Sequence, residues 1–182
     1  MATENKYIEN IFKTEEEIQN KITELAEKIN EDYEGEELLL ITVMKGGINF
    51  AADLQKRIAL DCQVEYVRVK SYDTNGKFGK PEITSLNKID AANKNIIFLE
   101  DLVDSGETII SLKEYYSEQN PKSIAVAATL GKPNRLELGV KEYYCWEEDP
   151  NGYLMGYGLD FTEKELFRNL PYIATIKKEY FE

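Results

Sequence analysis

Asn95–Thr108, NIIFLEDLVDSGET, is the stretch whose reading decides the fold. Ile96–Leu99 is a continuous apolar run, the pattern of a strand buried on both faces of a parallel sheet. The run stops at two adjacent carboxylates, Glu100 and Asp101. Asp104 then opens a tight turn, Asp104-Ser105-Gly106-Glu107-Thr108, which leads into a helix expected near Thr108–Glu118. Ligands of open α/β sheets bind beyond the carboxyl ends of the strands. A Gly-containing turn that feeds a helix offers backbone N–H groups and the positive end of the helix dipole to a phosphate. Ser105 and Thr108 add hydroxyl donors. Acids beside a phosphate cradle make chemical sense if they face a ribose diol, or a Mg²⁺ ion shared with the phosphates. The segment therefore reads as a site for a phosphorylated sugar. Taken singly, each acid is accounted for by capping a helix N-terminus; the whole run from Glu100 to Thr108 is not.

Working outward, Thr14-x-x-Glu17 is a capping box, and Ile18, Ile22, Leu25 and Ile29 follow at helical spacing. A helix is expected from about Glu15 to Tyr33, ended by Gly35. Leu38–Met44 is a second buried strand, broken by Lys45-Gly46-Gly47 before a helix near Asn49–Ile58. Val64–Lys70 alternates in the manner of a strand. Ser71–Pro81, SYDTNGKFGKP, is dense in Gly, Asn, Asp and Pro and reads as a mobile loop. Ile124–Leu130 is a further strand closing on Gly131-Lys132, and Tyr143–Ile176 reads as short strands and loops. Strands alternating with helices through residues 38–130 give an α/β fold with a mainly parallel sheet. At 182 residues, without repeats or linkers, the chain fits one domain on a prior of roughly 150 residues each.

Composition removes whole classes of function. A net charge of −12 argues against a nucleic-acid partner, because affinity for the phosphate backbone rests on Lys and Arg. The chain has no histidine, which excludes Ser–His and Cys–His dyads, histidine general bases and most zinc or non-haem iron sites. Catalysis must then rest on carboxylates, Lys, Arg, Tyr, backbone amides or a hard metal such as Mg²⁺. Cys62 and Cys145 lie far apart with no CxxC spacing, so neither a disulfide framework nor a zinc site is expected. No apolar run approaches the ~20 residues that span a bilayer, and the polar Met1–Tyr7 lacks a signal-peptide pattern. A cytoplasmic protein without membrane contact is expected.

Glu100–Thr108, EDLVDSGET, resembles the phosphoribosyl pyrophosphate (PRPP) loop of the type I phosphoribosyltransferases. The resemblance runs along nearly the whole chain, through the first helix, MKGG, KSYD, EDLVDSGET, GYGLD and RNLPYI. The order and spacing of these segments are similar to the hypoxanthine–guanine branch of the family. The resemblance implies a twisted, mainly parallel sheet flanked by helices, a core of about residues 35–145, and a small hood built from about residues 1–12 and 146–182. It implies transfer of a 5-phosphoribosyl group from PRPP to a 6-oxopurine, with Mg²⁺ as cofactor, PRPP and a purine base as partners, and a dimer or tetramer.

Residue roles carry over position by position. Asp104 matches the aspartate beside purine N7, the general base. Glu100 and Asp101 match the acids that hold the ribose hydroxyls and the metal's water shell; Ser105, Gly106, Glu107 and Thr108 match the 5′-phosphate cradle. Lys45 and Gly46 match the pyrophosphate loop, where a cis peptide precedes the lysine. Lys132 matches the lysine that donates to the purine 6-oxo group and so favours hypoxanthine or guanine over adenine. Tyr153 would stack on the base and Leu154 would contact its edge. Asp160 matches a purine- and metal-linked aspartate, and Arg168 the arginine that grips pyrophosphate. Ser71 and Tyr72 would begin the lid that closes over the site. Four positions depart from the pattern: Glu107, usually apolar or basic; Phe78, usually a small hydroxyl residue; Met44, usually leucine; and a longer Asp160–Arg168 interval. Two other classes also place acids at strand ends: a PRPP-fold regulator that senses nucleotides and binds RNA, and an aspartate-nucleophile phosphatase or phospho-receiver. The first needs a basic surface, and the second leaves GYGLD and RNLPYI without a purpose.

Overall fold

The computed structural model describes residues 5–72, 78–85, 87–150, 152–161 and 164–181. The chain begins with β1 (Ile8–Lys13) and α1 (Glu15–Asp32). The capping box forms: Glu17 N donates to Thr14 Oγ1 at 3.3 Å, and Thr14 N donates to Glu17 Oε2 at 2.8 Å. Ile18, Ile22, Leu25 and Ile29 are the buried stripe of α1, so the periodicity was a sound guide to the packed face. The helix ends on Tyr33, and Gly35, with φ of 77°, turns the chain into β2 (Leu38–Met44).

Beyond it come α2 (Ile48–Leu54), β3 (Cys62–Tyr72), β4 (Phe78–Ser85), β5 (Asn95–Val103), α3 (Glu107–Ser117), β6 (Ser123–Gly131) and β7 (Lys141–Glu147). These strands form one six-stranded sheet in the order β4-β3-β2-β5-β6-β7, parallel except for β4. The α/β reading with a mainly parallel sheet holds. Both faces of the central strands are covered, which is why their sequences are apolar throughout. Leu38 and Leu40 point into a core shared with α1 and α2, whereas Leu39, Ile41 and Val43 point into a second core with α3. Ile97 and Leu99 of β5 belong to the first core, Ile96 and Phe98 to the second. β8 (Leu154–Met155) and β9 (Ile173–Ile176) join β1 in a small antiparallel sheet, order β1-β9-β8. No helix among the described residues is long and apolar enough to cross a membrane.

Three expectations need correction. β5 does not end at Leu99 but runs through Glu100 and Asp101 to Val103, because β6 keeps pairing with it (Leu102 with Leu130, Val103 with Gly131). The partner on its other side, β2, stops at the Thr42–Leu99 pair. Ser71–Pro81 is not loop throughout: Ser71 and Tyr72 continue β3, and Phe78–Pro81 opens β4. Pro81 is tolerated there because β4 is an edge strand; residues 73–77 lie outside the described ones. The second helix closes at Leu54 and gives way to a 3₁₀ turn, Gln55–Arg57, where the Arg57 side chain donates to Asp53 O at 2.8 Å.

The topology fixes where a ligand can enter. From β2 the chain winds outward to β3 and β4, then returns to place β5 on the other side of β2. The carboxyl ends of β2 and β5 flank this switch point, the place where open α/β sheets carry their crevice.

Candidate active site

Three loops meet at the switch point: the end of β2 with Lys45, Gly46 and Gly47; the end of β5 with Glu100, Asp101 and Asp104; and Gly156–Asp160. Their approach is too close for side chains. A Cβ at Gly46 would lie 2.0 Å from Asp101 Oδ2, one at Gly47 2.5 Å from Leu99 O, and one at Gly158 2.1 Å from Gly46 O. Glycine at Gly46 is therefore what lets the Asp101 carboxylate lie against the β2 loop. The peptide between Met44 and Lys45 is cis, as the resemblance implies.

The acids at the end of β5 differ in environment. Glu100 is buried, and burial followed by the neighbouring Asp101 charge pushes its carboxyl well above the usual carboxylate range. Its Oε1 accepts from Asp101 N at 3.2 Å, and Asp101 Oδ1 accepts from Leu102 N at 2.8 Å. Asp104 is exposed and reaches Lys132, Nζ to Oδ1 2.8 Å. That contact, a hydrogen bond from the ammonium, is the main reason Lys132 is held above its ordinary pKa. Asp149 stands 3.8 Å from the same Nζ.

An open cleft of about 530 Å³ surrounds this pair, lined by Leu102, Asp104, Lys132, Asp149, Tyr153 and Leu154 among others. Tyr153 is exposed at its mouth, its ring 4.7 Å from that of Phe181. A cavity of similar size, about 520 Å³, opens at the amino ends of the strands around Glu36, Asp61 and Lys122. It lies at the end of the sheet opposite the crevice, and none of the candidate site residues lines it.

Beside the cleft, Gly106 takes a φ of 90° ahead of α3, a left-handed backbone that suits glycine. Ser105 Oγ accepts from Glu107 N at 3.3 Å, and Glu107, the first residue of α3, is exposed. The turn thus leads into the N-terminus of an eleven-residue helix, with Ser105 and Glu107 exposed and Thr108 half-buried.

On the far side of Asp101 lies a cationic pair. Lys45 binds Glu165 at 2.5 Å. Arg168 binds Asp160 at 2.9 Å and Glu165 at 3.4 Å, and donates to Gly158 O at 2.6 Å. Asp160 sits with Arg168 and does not line the cleft with Lys132. Ser71 and Tyr72 are the last residues of β3.

The structure thus brings together Lys132 with Asp104, Tyr153 and Leu154, and Lys45 with Arg168 and Asp160. Sequence reasoning missed Asp149 and Glu165. Neither stands in a motif, and only the ion pairs to Lys132 and to Lys45 and Arg168 reveal them. Among the described residues no three acids or cysteines converge tightly enough to hold a metal unaided.

Comparison with known proteins agrees with this fold. Residues 10–162 match the family described as phosphoribosyl transferase domain. A hypoxanthine-guanine phosphoribosyltransferase of Staphylococcus epidermidis is 35% identical over 179 residues, covering 97% of this chain and 98% of that protein. A crystal structure of a hypoxanthine-guanine phosphoribosyltransferase from Bacillus anthracis superposes with a TM-score of 0.83 at 34% identity, covering 93% of this chain and 98% of that one. The hypoxanthine phosphoribosyltransferase of Trypanosoma cruzi in complex with its product IMP gives a TM-score of 0.84 at 29% identity, covering 98% of this chain and 100% of that one.

Proposed function

The chain belongs to the hypoxanthine-guanine phosphoribosyltransferase family, and from that premise we propose that it transfers the 5-phosphoribosyl group of PRPP to hypoxanthine or guanine in purine salvage. The products are IMP or GMP and pyrophosphate. The observation that carries this reading is the Lys132–Asp104 pair, 2.8 Å apart in a cleft with Tyr153 at its mouth. A 6-oxopurine presents O6 and N7 side by side on one edge. Lys132 donates to O6, and Asp104 takes the proton from N7 as N9 bonds to C1 of the ribose and the C1–oxygen bond to pyrophosphate breaks. A positioned base of this kind contributes about 10²–10⁴-fold. Adenine carries an amino group where O6 would be and leaves Lys132 facing a donor, which supports the 6-oxo preference.

The other residues divide the substrate among them. Ser105, Gly106, Glu107 and Thr108 supply backbone and hydroxyl donors to the 5′-phosphate, an arrangement supported by the glycine turn that starts α3 beside them. Asp101, pressed on Gly46, and Glu100 face the ribose diol. Lys45, Gly46 and Arg168 hold the pyrophosphate. Tyr153 stacks on the base and Leu154 fixes its edge.

The donor set is all oxygen, which suits Mg²⁺ held mainly by substrate phosphates, with Asp160, Asp101 and Glu100 contributing directly or through water. When bound, the ion neutralises charge on the leaving pyrophosphate. Asp104→Asn and Asp104→Ala test the reading: turnover should fall about a hundredfold or more while PRPP still binds. Nucleoside monophosphate formed by both variants at the wild-type rate would refute the role of Asp104.

A further inference from the structure

Lys45 and Arg168, the two cations given to pyrophosphate above, share one carboxylate. Both converge on one atom, Glu165 Oε2, at 2.5 Å from Lys45 Nζ and 3.4 Å from Arg168 Nη2. The carboxylate is itself held below its ordinary pKa, chiefly by the hydrogen bond from Lys45. We propose that Glu165 is a built-in competitor for pyrophosphate: its carboxylate fills the anion position between Lys45 and Arg168 and must swing away for a pyrophosphate group to bind.

The backbone supports this placement. Glu165 and Phe167 both adopt left-handed φ, 53° and 73°, a conformation that costs a non-glycine residue roughly 1–2 kcal/mol and persists only where surroundings impose it. Here they do. Phe161 and Leu166 exchange backbone hydrogen bonds at 3.0 and 3.1 Å. The Phe161 and Phe167 rings pack on Tyr7, with centroids 5.6 and 5.5 Å away. The turn is therefore anchored, while the Glu165 side chain at its tip is 43% exposed and has room to rotate. Arg168 does not depend on Glu165 for its orientation, since Asp160 and Gly158 O hold the same guanidinium.

The consequence concerns the forward reaction. PRPP and pyrophosphate must displace a tethered anion, which weakens both; after transfer, the returning carboxylate helps expel pyrophosphate. The 5′-phosphate and purine ends lie on other loops and escape the competition. Half-exposed ion pairs contribute little each, so the expected effect is about three- to tenfold.

The inference rests on the pyrophosphate subsite of the proposed function, and its test separates the two. Pyrophosphate binding to the full-length protein is measured by titration calorimetry with Mg²⁺, beside pyrophosphate product inhibition, for wild type, Glu165→Gln and Glu165→Ala. Both variants should bind pyrophosphate about three- to tenfold more tightly, with an inhibition constant lowered to match and IMP affinity within about twofold of wild type. If Glu165 instead positions the cations, both variants bind pyrophosphate equally or more weakly, and the inference is overturned. Failure of the wild-type protein to bind pyrophosphate at all overturns the subsite and the inference together.

Discussion

Alanine at Gly46 and at Gly158 should separate damage to the site from damage to the fold. At Gly46 the added Cβ meets the far end of a side chain, Asp101 Oδ2 at 2.0 Å. The carboxylate can rotate away, at about 0.5–1.5 kcal/mol for an unfavourable rotamer. It also gives up the 2.8 Å bond that Asp101 Oδ1 accepts from Leu102 N, worth about 0.5–1.5 kcal/mol. The total is roughly 1–3 kcal/mol, or about 3–9 °C in Tm for a chain of this size. At Gly158 the obstacle is backbone, Gly46 O at 2.1 Å, and φ is 102°, so no rotation relieves it. A left-handed alanine costs about 1–2 kcal/mol and overpacking about 1–3 kcal/mol more. Gly46→Ala should therefore remain folded at 25 °C yet lose about a hundredfold in kcat/KM for PRPP, because Asp101 and the Lys45 loop are displaced by about an ångström. Gly158→Ala should lose stability and activity together. Thermal unfolding followed by steady-state kinetics on both variants decides the matter. Gly46→Ala with PRPP kinetics within about threefold of wild type would refute the claim that contact between these loops builds the site.

Lys132→Ala should lower kcat/KM for hypoxanthine about 10- to 150-fold, the worth of a charge-assisted hydrogen bond of about 1.5–3 kcal/mol, and should narrow the preference over adenine. An unchanged ratio of the two bases would remove Lys132 from base selection. A further prediction concerns Asp53, on α2. Burial alone would raise its carboxyl, but hydrogen bonds from Gln19, Tyr157 and Lys56 outweigh that and hold it below its ordinary value. A depressed carboxylate stabilises the fold above its unfolded pKa, near 4, and that contribution is lost as pH falls through the folded value. Asp53→Ala also leaves the Tyr157 hydroxyl, bonded to it at 2.7 Å, without this partner in a buried position. It should cost about 1–3 kcal/mol at pH 7 and less below pH 4. Denaturant midpoints for wild type and variant that differ equally at pH 7 and pH 3 would contradict the sign.

Much of the fold was legible where a single physical pattern governs a segment. The capping box and apolar spacing of α1, and the apolar runs of β2, β5 and β6, are local signals of burial that the packing obeys. The misread boundaries have tertiary causes. Glu100–Val103 continues as strand because β6 extends alongside it, and no residue within the segment announces a neighbour's length. Ser71–Pro81 has the composition of a loop, yet its ends are paired because β4 lies at an edge that admits Pro81. β8 and β9 fall within the short strands expected of Tyr143–Ile176, but β1 escaped notice because it pairs with β9 through two register shifts and carries no clean alternation. In the site, Asp104 and Lys132 came from motifs and do meet. Asp149 and Glu165 could not have been found that way, since each matters only through an ion pair closed by folding.

Transfer of a phosphoribosyl group to a 6-oxopurine is tested directly by one assay. The purified protein is incubated with PRPP and Mg²⁺ and offered hypoxanthine, guanine, xanthine, adenine or uracil, and nucleoside monophosphate and pyrophosphate are quantified together. Hypoxanthine or guanine should give equal amounts of IMP or GMP and pyrophosphate, and adenine or uracil little or no product. Adenine or uracil as the preferred acceptor, or no nucleotide from any base, would contradict this transfer.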